Sequence, residues 1–169
     1  MIENDIIAKK KPLEIVDEIE VAMQGYKEVE CPLVHRFTPS MYIREIFMPA
    51  GSLITSKLHR TEHPFTISKG AVSVLTIEGG YIKDELLLEA PYTGITKPGT
   101  RRVLYIHEDT VWTTYHYNES NETDVSKIEE RIIEPYVNPL LSGGEMKDIE
   151  GLYKRNEVEL QKFIKSLNE

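Results

Sequence analysis

Short runs of β-branched and aromatic residues, interrupted by Pro and Gly, fill the middle of this chain and limit its possible folds more than any other feature. Between residues 32 and 118 these runs cover 41–48, 53–58, 65–68, 71–77, 86–89, 103–106 and 111–116. The segments between them, such as Glu78-Gly79-Gly80, Pro91-Tyr92-Thr93-Gly94 and Lys97-Pro98-Gly99, are typical turn sequences. Seven or more strands at this spacing predict a β-sandwich or a small β-barrel.

Helical patterns flank this β region on both sides. Pro12 stands at a first helical position, and apolar residues follow at three- and four-residue spacing up to Met23, before Gly25. After residue 118, helical patterns cover 124–133 and 145–167. The sequence therefore predicts an N-terminal helical arm (1–31), a β-barrel (32–118) and a C-terminal helical extension (119–169).

The apolar residues of the last helical pattern recur at alternating steps of three and four. They form a heptad seam about three repeats long, with Asn156 inside it. Such a seam packs either on the protein's own sheet or against another subunit, and the sequence leaves both open. We expect a homo-oligomer, formed through the barrel and the helix at 145–167.

Charge is distributed unevenly along the chain. The sequence has 20 Lys plus Arg against 28 Asp plus Glu, a formal net charge of −8. Residues 51–120 carry seven basic and eight acidic side chains, whereas residues 121–169 carry seven and eleven. A protein that holds duplex nucleic acid by its phosphates needs a broad basic face, so we expect no such partner. Within residues 51–120, only the segments 53–70 and 96–107 have a local excess of basic over acidic side chains.

The cysteine content and the hydropathy predict a cytoplasmic protein. Cys31 is the only cysteine, so an intrachain disulfide is excluded, as is usual in a reducing compartment. No apolar run approaches the roughly 18 residues of a membrane span, and we expect no membrane partner.

Two segments carry a resemblance to a known superfamily. The run from Met48 to Gly70 resembles the first conserved motif of the cupins, and the run from Gly94 to Val103 is similar to the second, in which a Pro-Gly turn precedes an inward-facing ligand residue. The resemblance implies a mainly β fold, a cupin-type double-stranded β-helix barrel with an N-terminal helix and C-terminal helices. More narrowly, the phrases at 42–51 and 94–102 resemble small cupin-type proteins encoded by bacteriophages, which implies the cytoplasm of a bacterial host.

The resemblance is poor at the metal-binding positions. Metal-binding cupins usually have His-x-His, a Glu four or five residues later, and a Gly seven residues after the Glu. Aligned on Gly70, this spacing puts His63 in the Glu position, His59 in the second His position and Lys57 in the first. Arg102 falls where the second motif has its His. Two of the four positions are therefore cationic side chains that cannot coordinate a metal as they stand.

The same alignment predicts a basic pocket. Lys57, His59, His63 and Arg102, all facing inward, would make a positively charged barrel mouth that favours an anionic guest such as a phosphate, a nucleotide or a carboxylate. Counting across the turn at 107–110 as a hairpin pairs Arg102 with Tyr115 and places Tyr115 in the pocket.

Three residues close to this pocket in the sequence are expected to lie outside it. The same hairpin counting places Trp112 on the face of the strand that points away from the pocket, under the flanking helices. Arg101 is expected in a surface or subunit salt bridge, and His107 in a solvated turn.

Three functions remain open. The leading hypothesis is a binding protein without a cofactor, whose partner is an anionic nucleotide or another phosphorylated small molecule; a phage protein of this kind could sequester a host signal. The alternative is a divergent metal-dependent cupin enzyme of oxygenase or isomerase type. It would hold a transition metal ion through His59, His63 and, if the loop register shifts by one, Glu62, while Arg102 anchors the substrate. The third is a structural or assembly role.

Overall fold

The computed structural model describes residues 12–79, 81–136 and 138. Within them lie two helices and nine strands. In chain order these are α1 (Pro12–Met23), β1 (Leu33–Thr38), β2 (Met41–Met48), β3 (Leu53–Thr55), β4 (His63–Lys69), β5 (Ala71–Glu78), β6 (Tyr81–Glu89), β7 (Tyr92–Thr96), β8 (Thr100–Ile106), β9 (Thr110–Tyr117) and α2 (Val125–Ile132).

The strands form two antiparallel sheets that face each other. One sheet has the order β1-β2-β9-β4-β7 and the other the order β3-β8-β5-β6. Apart from the β1–β2 and β5–β6 hairpins, each pair of consecutive strands is divided between the two sheets, so the chain passes back and forth between the two layers. This is the strand order of a double-stranded β-helix, and the predicted fold class is confirmed.

The main core lies between the sheets, where alternate side chains of each strand point inward. Its buried members are Met48, Phe65, Ile67, Val72, Val74, Leu88, Leu104, Ile106 and Trp112. The rings of Phe65 and Trp112 stack with centroids 4.4 Å apart. Gly94 is paired with Phe65, and a Cβ at this position would come within 2.5 Å of the Phe65 ring. Only glycine therefore lets β7 lie this close to β4.

Two strands were absent from the sequence prediction. β1 is an edge strand with side chains mostly exposed on both faces, so it lacks the alternation that identifies a half-buried strand. β7 begins at Tyr92, within a segment predicted as a turn from Pro91 and Gly94. The seven predicted strands are all present; the strand at 41–48 has the predicted ends, and the other six have shifted ends.

Helix α1 packs on the outer face of the four-stranded sheet. Val16 and Ile19 of the helix are buried against Leu75, Ile77 and Val103 of the sheet. The helix spans nearly the predicted residues, and the apolar residues at three- and four-residue spacing form its buried side.

Arg101 lies on this same outer face and pairs with the helix. Its guanidinium contacts Asp17 Oδ1 at 3.2 Å and donates to Glu20 Oε1, and it lies over the ring of Tyr136. Arg101 and Asp17 are both almost fully buried. The expectation of a surface or subunit salt bridge is therefore wrong, because α1 covers this part of β8.

Helix α2 closes one end of the barrel. The Asp124 side chain caps its first turn by accepting a hydrogen bond from Ser126 N. Ile128 and Ile132 of the helix are buried against Tyr42 of β2. The first part of the predicted C-terminal extension is thus packed on the barrel, whereas the predicted helix at 145–167 lies outside the described residues. In the part of the chain that the structure describes, neither helix has the length and hydropathy of a membrane span.

Candidate ligand-binding site

A cavity of about 200 Å³ lies between the two sheets, at the end that α2 closes. Part of its wall is apolar, formed by Ile46, Met48, Ile54, Leu104, Trp112, Ile132 and Ile133. The polar lining residues are Tyr42, Arg44, Thr55, Ser56, Lys57, His59, His63, Thr96, Arg102, Thr114, His116 and Glu129. The cavity is therefore an apolar chamber with cationic and imidazole groups facing into it.

Four of the residues singled out from sequence line this cavity, namely Lys57, His59, His63 and Arg102. Lys57 is the outermost of them. Its side chain is largely exposed, and its Nζ lies 3.3 Å from Glu129 Oε2. Lys57 thus sits at the mouth of the cavity with a carboxylate beside it, whereas the other three lie deeper.

His59 lies in the loop between β3 and β4, and two backbone hydrogen bonds hold it there. Its N–H donates to Thr100 O at 3.0 Å, and its carbonyl accepts from Gly99 N at 2.8 Å. The next residue, Arg60, donates its backbone N–H to Ile132 O at 2.9 Å. The loop that carries His59 is therefore fixed between the turn before β8 and the end of α2.

Arg102 is the most constrained cation of the site. It is 8% exposed, its Nη1 donates to Thr96 Oγ1 at 2.9 Å, and its guanidinium lies over the rings of Phe65 and Trp112, 5.0 and 5.8 Å from their centroids. No carboxylate of the described residues lies within 4 Å of it. Burial lowers the pKa of Arg102, and the charges of Asp84 and Glu78 oppose that effect. An arginine stays protonated under these conditions, so the cavity holds a buried positive charge without an ion-pair partner.

Sequence reasoning missed two residues of the site, Arg44 and His116. Arg44 is paired with Thr114, and Tyr42 with His116, so these side chains share the inner face of the sheet. The Arg44 Nε atom is buried and has no hydrogen-bond partner among the described residues. The alternation of Trp112, Thr114 and His116 along β9 is the sequence signal for this face, and the prediction that Trp112 faces away from the pocket is wrong.

Three histidines meet in the cavity. The ring centroids of His59 and His63 are 4.8 Å apart, and those of His63 and His116 are 4.3 Å apart. Burial, followed by the neighbouring imidazoles and then by nearby arginines, lowers the pKa values of His59 and His116 to about 3. Burial also lowers the pKa of His63, with Arg102 adding to the effect. At neutral pH these rings are uncharged, which corrects the expectation that they add positive charge to the pocket.

Tyr115 lies outside the cavity. Its hydroxyl is 3.1 Å from Thr66 Oγ1, and the residues on either side of it in β9, Thr114 and His116, line the cavity instead. The predicted pairing of Arg102 with Tyr115 is wrong, because β8 pairs with β3 and β5 whereas β9 pairs with β2 and β4. The turn at 107–110 is a crossing between sheets and not a hairpin.

Glu62 is also outside the cavity, so it cannot complete the predicted metal site. Its carboxylate pairs with Lys97 Nζ at 3.0 Å on the exposed side of the loop. Among the described residues, no three His, Cys, Asp or Glu side chains are placed to hold a metal ion together. Arg102 and Arg44, which disfavour a proton on His59, disfavour a divalent cation for the same electrostatic reason. The side chains present do not fit the metal that the cupin resemblance implies.

No protein-family model matches this chain, and no curated protein is similar to it in sequence. Similar solved structures are cupin-superfamily double-stranded β-helix proteins. One is a cupin superfamily protein from Desulfitobacterium hafniense, with a TM-score of 0.43 and 6% identity, covering 55% of this chain and 82% of the other. Another is the Cnp3 cupin domain of Schizosaccharomyces pombe, with a TM-score of 0.44 and 16% identity, covering 69% and 77%.

A third similar structure is a salicylate 1,2-dioxygenase from Pseudoaminobacter salicylatoxidans, with a TM-score of 0.46 and 11% identity, covering 69% of this chain and 33% of the enzyme. All three TM-scores are below 0.5. These likenesses therefore carry no argument about a ligand or a reaction for this chain.

Proposed function

We propose that this protein binds a small organic anion in the barrel cavity, without a catalytic metal. The observation that supports this function is the buried guanidinium of Arg102, which has no carboxylate partner among the described residues. An unpaired buried charge destabilises a fold by several kcal/mol, and an anionic ligand removes that cost. The neighbouring apolar wall would accept the uncharged part of such a ligand.

The donors of Arg102 are already oriented for an anion. Thr96 holds one nitrogen, and the rings of Phe65 and Trp112 hold the plane of the guanidinium. Arg44 contributes a second guanidinium, whose buried Nε has no hydrogen-bond partner among the described residues. Carboxylates and phosphates match the planar donor fork of arginine in two parallel hydrogen bonds, so either group is a suitable anion here.

The size of the cavity limits the ligand. Its volume of about 200 Å³ is below the roughly 300–1,000 Å³ of sites that enclose drug-sized molecules. A small carboxylate or phosphate ester would fit entirely inside. A nucleotide would place only its phosphate end between the sheets, with the remainder at the mouth beside Lys57 and Glu129.

The resemblance to phage-encoded proteins adds a narrower form of the proposal. In this form the chain captures a phosphorylated host signal in the cytoplasm of an infected bacterium. Nucleotides therefore belong in the panel of test ligands, beside small carboxylates and inorganic phosphate.

Replacing Arg102 by Met should weaken anion binding about 30- to 4,000-fold, because removing one partner of a buried charge pair costs roughly 2–5 kcal/mol. Isothermal titration calorimetry with propionate, benzoate, inorganic phosphate and AMP measures the effect. Arg60→Met is the matched control, since Arg60 pairs with Glu134 on the surface and does not line the cavity, and it should change the affinity only a few-fold at most.

Two results would overturn the proposed function. One is that no anion in the panel binds to the unaltered protein. The other is that the unaltered protein binds a transition metal stoichiometrically and loses it in a His59→Ala, His63→Ala double variant, which would support the metal-dependent enzyme.

We also propose that two copies of the chain associate through β1, the edge strand of the five-stranded sheet. Leu33, Val34, Phe37 and Met41 are apolar and 38–42% exposed. Because Pro32 O accepts a hydrogen bond from Phe47 N, the backbone groups of Leu33, His35 and Phe37 face away from β2. No strand of the described ranges pairs with them.

Antiparallel pairing of two β1 strands centred on His35 would place Leu33 of each copy opposite Phe37 of the other. Centring on Arg36 would instead put two guanidinium groups opposite each other, which is unfavourable. In the first register, a His35→Cys variant should form a disulfide-linked dimer under mild oxidation, because the paired Cα atoms would lie about 5.5 Å apart.

An Arg36→Cys variant is the control for this register, since the two Cys residues would be diagonal neighbours about 7–8 Å apart and should not cross-link efficiently. Gel electrophoresis without reductant distinguishes the two variants. Equal cross-linking of both, or a monomer in sedimentation equilibrium at every concentration, would contradict this interface.

A further inference from the structure

His63 presents a lone pair inside the barrel. Its Nδ1 lies 3.0 Å from Thr61 O, and a carbonyl oxygen can only accept, so Nδ1 carries the proton. The other ring nitrogen, Nε2, is therefore a hydrogen-bond acceptor in the neutral ring. It is buried and has no partner among the described residues.

His116 presents a second lone pair by a similar argument. The hydroxyl of Thr114 donates to Arg44 O at 3.5 Å, so its oxygen is free to accept from His116 Nε2 at 2.9 Å. This assignment puts the proton on Nε2 and leaves Nδ1 as the acceptor. Nδ1 is also buried and without a partner in the described part of the chain.

Two acceptors without donors are unusual in such a position. His63 and His116 are each 2% exposed, and their rings are 4.3 Å apart. Most buried polar atoms in folded proteins have a hydrogen-bond partner. A buried nitrogen without one therefore indicates a partner from outside the chain, such as a ligand. A ligand that pairs with both groups has to accept hydrogen bonds from the Arg102 guanidinium and donate one to an imidazole nitrogen.

The donor on the ligand is more favourable as a hydroxyl than as an ammonium group. Arg102 and Arg44 face the same cavity, and their positive charges disfavour another cation next to the imidazoles. A hydroxyl supplies a proton for the hydrogen bond without adding charge.

On the basis of the anion-binding function above, we propose that the ligand is a small hydroxylated anion, a hydroxycarboxylate or a phosphate ester with a free hydroxyl. Its charged group contacts Arg102, and its hydroxyl donates to His63 Nε2 or His116 Nδ1. The site then distinguishes hydroxylated anions from their deoxy analogues.

Matched ligand pairs test this inference in the unaltered protein. Two pairs are suitable for calorimetric titration: lactate with propionate, and glycerol phosphate with propyl phosphate. The members of each pair differ mainly in their hydroxyl groups. We expect the hydroxylated member of at least one pair to bind about 5- to 150-fold more tightly, the range that corresponds to satisfying one buried acceptor.

Variants assign the preference to the imidazoles. His63→Phe and His116→Phe remove the acceptors and keep a ring, so the preference for the hydroxyl should disappear while the deoxy anion still binds. His107→Phe is the control, because His107 contacts Ser73 Oγ and does not line the cavity, and it should keep the preference.

The outcomes separate this inference from the proposed function. Equal affinity for both members of every pair overturns the hydroxyl contact and leaves anion binding intact. Failure of every anion to bind overturns the proposed function itself. Stoichiometric Zn²⁺ binding that is lost in His116→Phe would show that the lone pairs serve a metal, and would overturn the hydroxyl contact even if anions bind.

Discussion

Replacing Arg101 by Met should lower the free energy of unfolding by about 3–5 kcal/mol, the usual effect of removing one partner from a buried ion pair. Asp17 is 3% exposed and would remain buried without its cation. Glu20 would lose the same partner, because Arg101 donates to both carboxylates. The main link between α1 and β8 would thus become a buried carboxylate and a partly buried one that repel each other.

Urea unfolding followed by circular dichroism measures this loss. Arg60→Met is the matched control, because Arg60 pairs with Glu134 on the surface at 2.7 Å, and an exposed pair contributes only about 0–1 kcal/mol. Adding Asp17→Asn and Glu20→Gln to Arg101→Met should recover part of the lost stability. Equal effects of Arg101→Met and Arg60→Met would contradict the structural role assigned to Arg101.

Acidification from pH 7 to pH 5 should lower the free energy of unfolding by about 2 kcal/mol for each of His59 and His116. Their pKa values are about 3 in the folded protein, against 6.5 for the free side chain. The unfolded chain therefore binds more protons between pH 3 and 6.5. Stability rises with pH across that window, is complete above it, and is lost progressively as the pH falls below 6.5.

Unfolding measured at several pH values tests this expectation. Most carboxylates titrate below pH 5, so the interval between pH 5 and 7 reports chiefly on the histidines. His116→Gln should remove about 2 kcal/mol of the stability loss between pH 7 and pH 5, the share that His116 contributes. A stability that is constant from pH 7 to 5 would contradict this expectation, because it would show that folding does not change the proton affinity of these imidazoles.

Sequence patterns predicted the fold better than they predicted strand neighbours. The alternating and β-branched runs identified most strands, and Pro12 and Asp124 marked the beginnings of both helices. Pairing between strands is not local information, however. The three residues between β8 and β9 are few enough for a hairpin, and they instead connect two sheets.

The same limitation explains what was missed in the site. Placing β9 beside β8 reversed its inward and outward residues, so Tyr115 was assigned to the pocket and His116 was left without a role. Arg44 lies between Tyr42 and Ile46 on the inner face of β2, and a lone charged residue in an apolar stripe gives no indication of its own that it faces a cavity. Motif spacing located His59, His63 and Arg102, because their segments adjoin turns that the sequence marks clearly.

Arg101 and Arg102 are adjacent in the chain and lie on opposite faces of β8. One is held by the carboxylates of α1, and the other faces the cavity. Two separate structural constraints therefore act on neighbouring residues, one from the attachment of a helix and one from the lining of the cavity. A single-codon insertion within β8 ahead of this pair would exchange the faces of the two residues and violate both constraints at once.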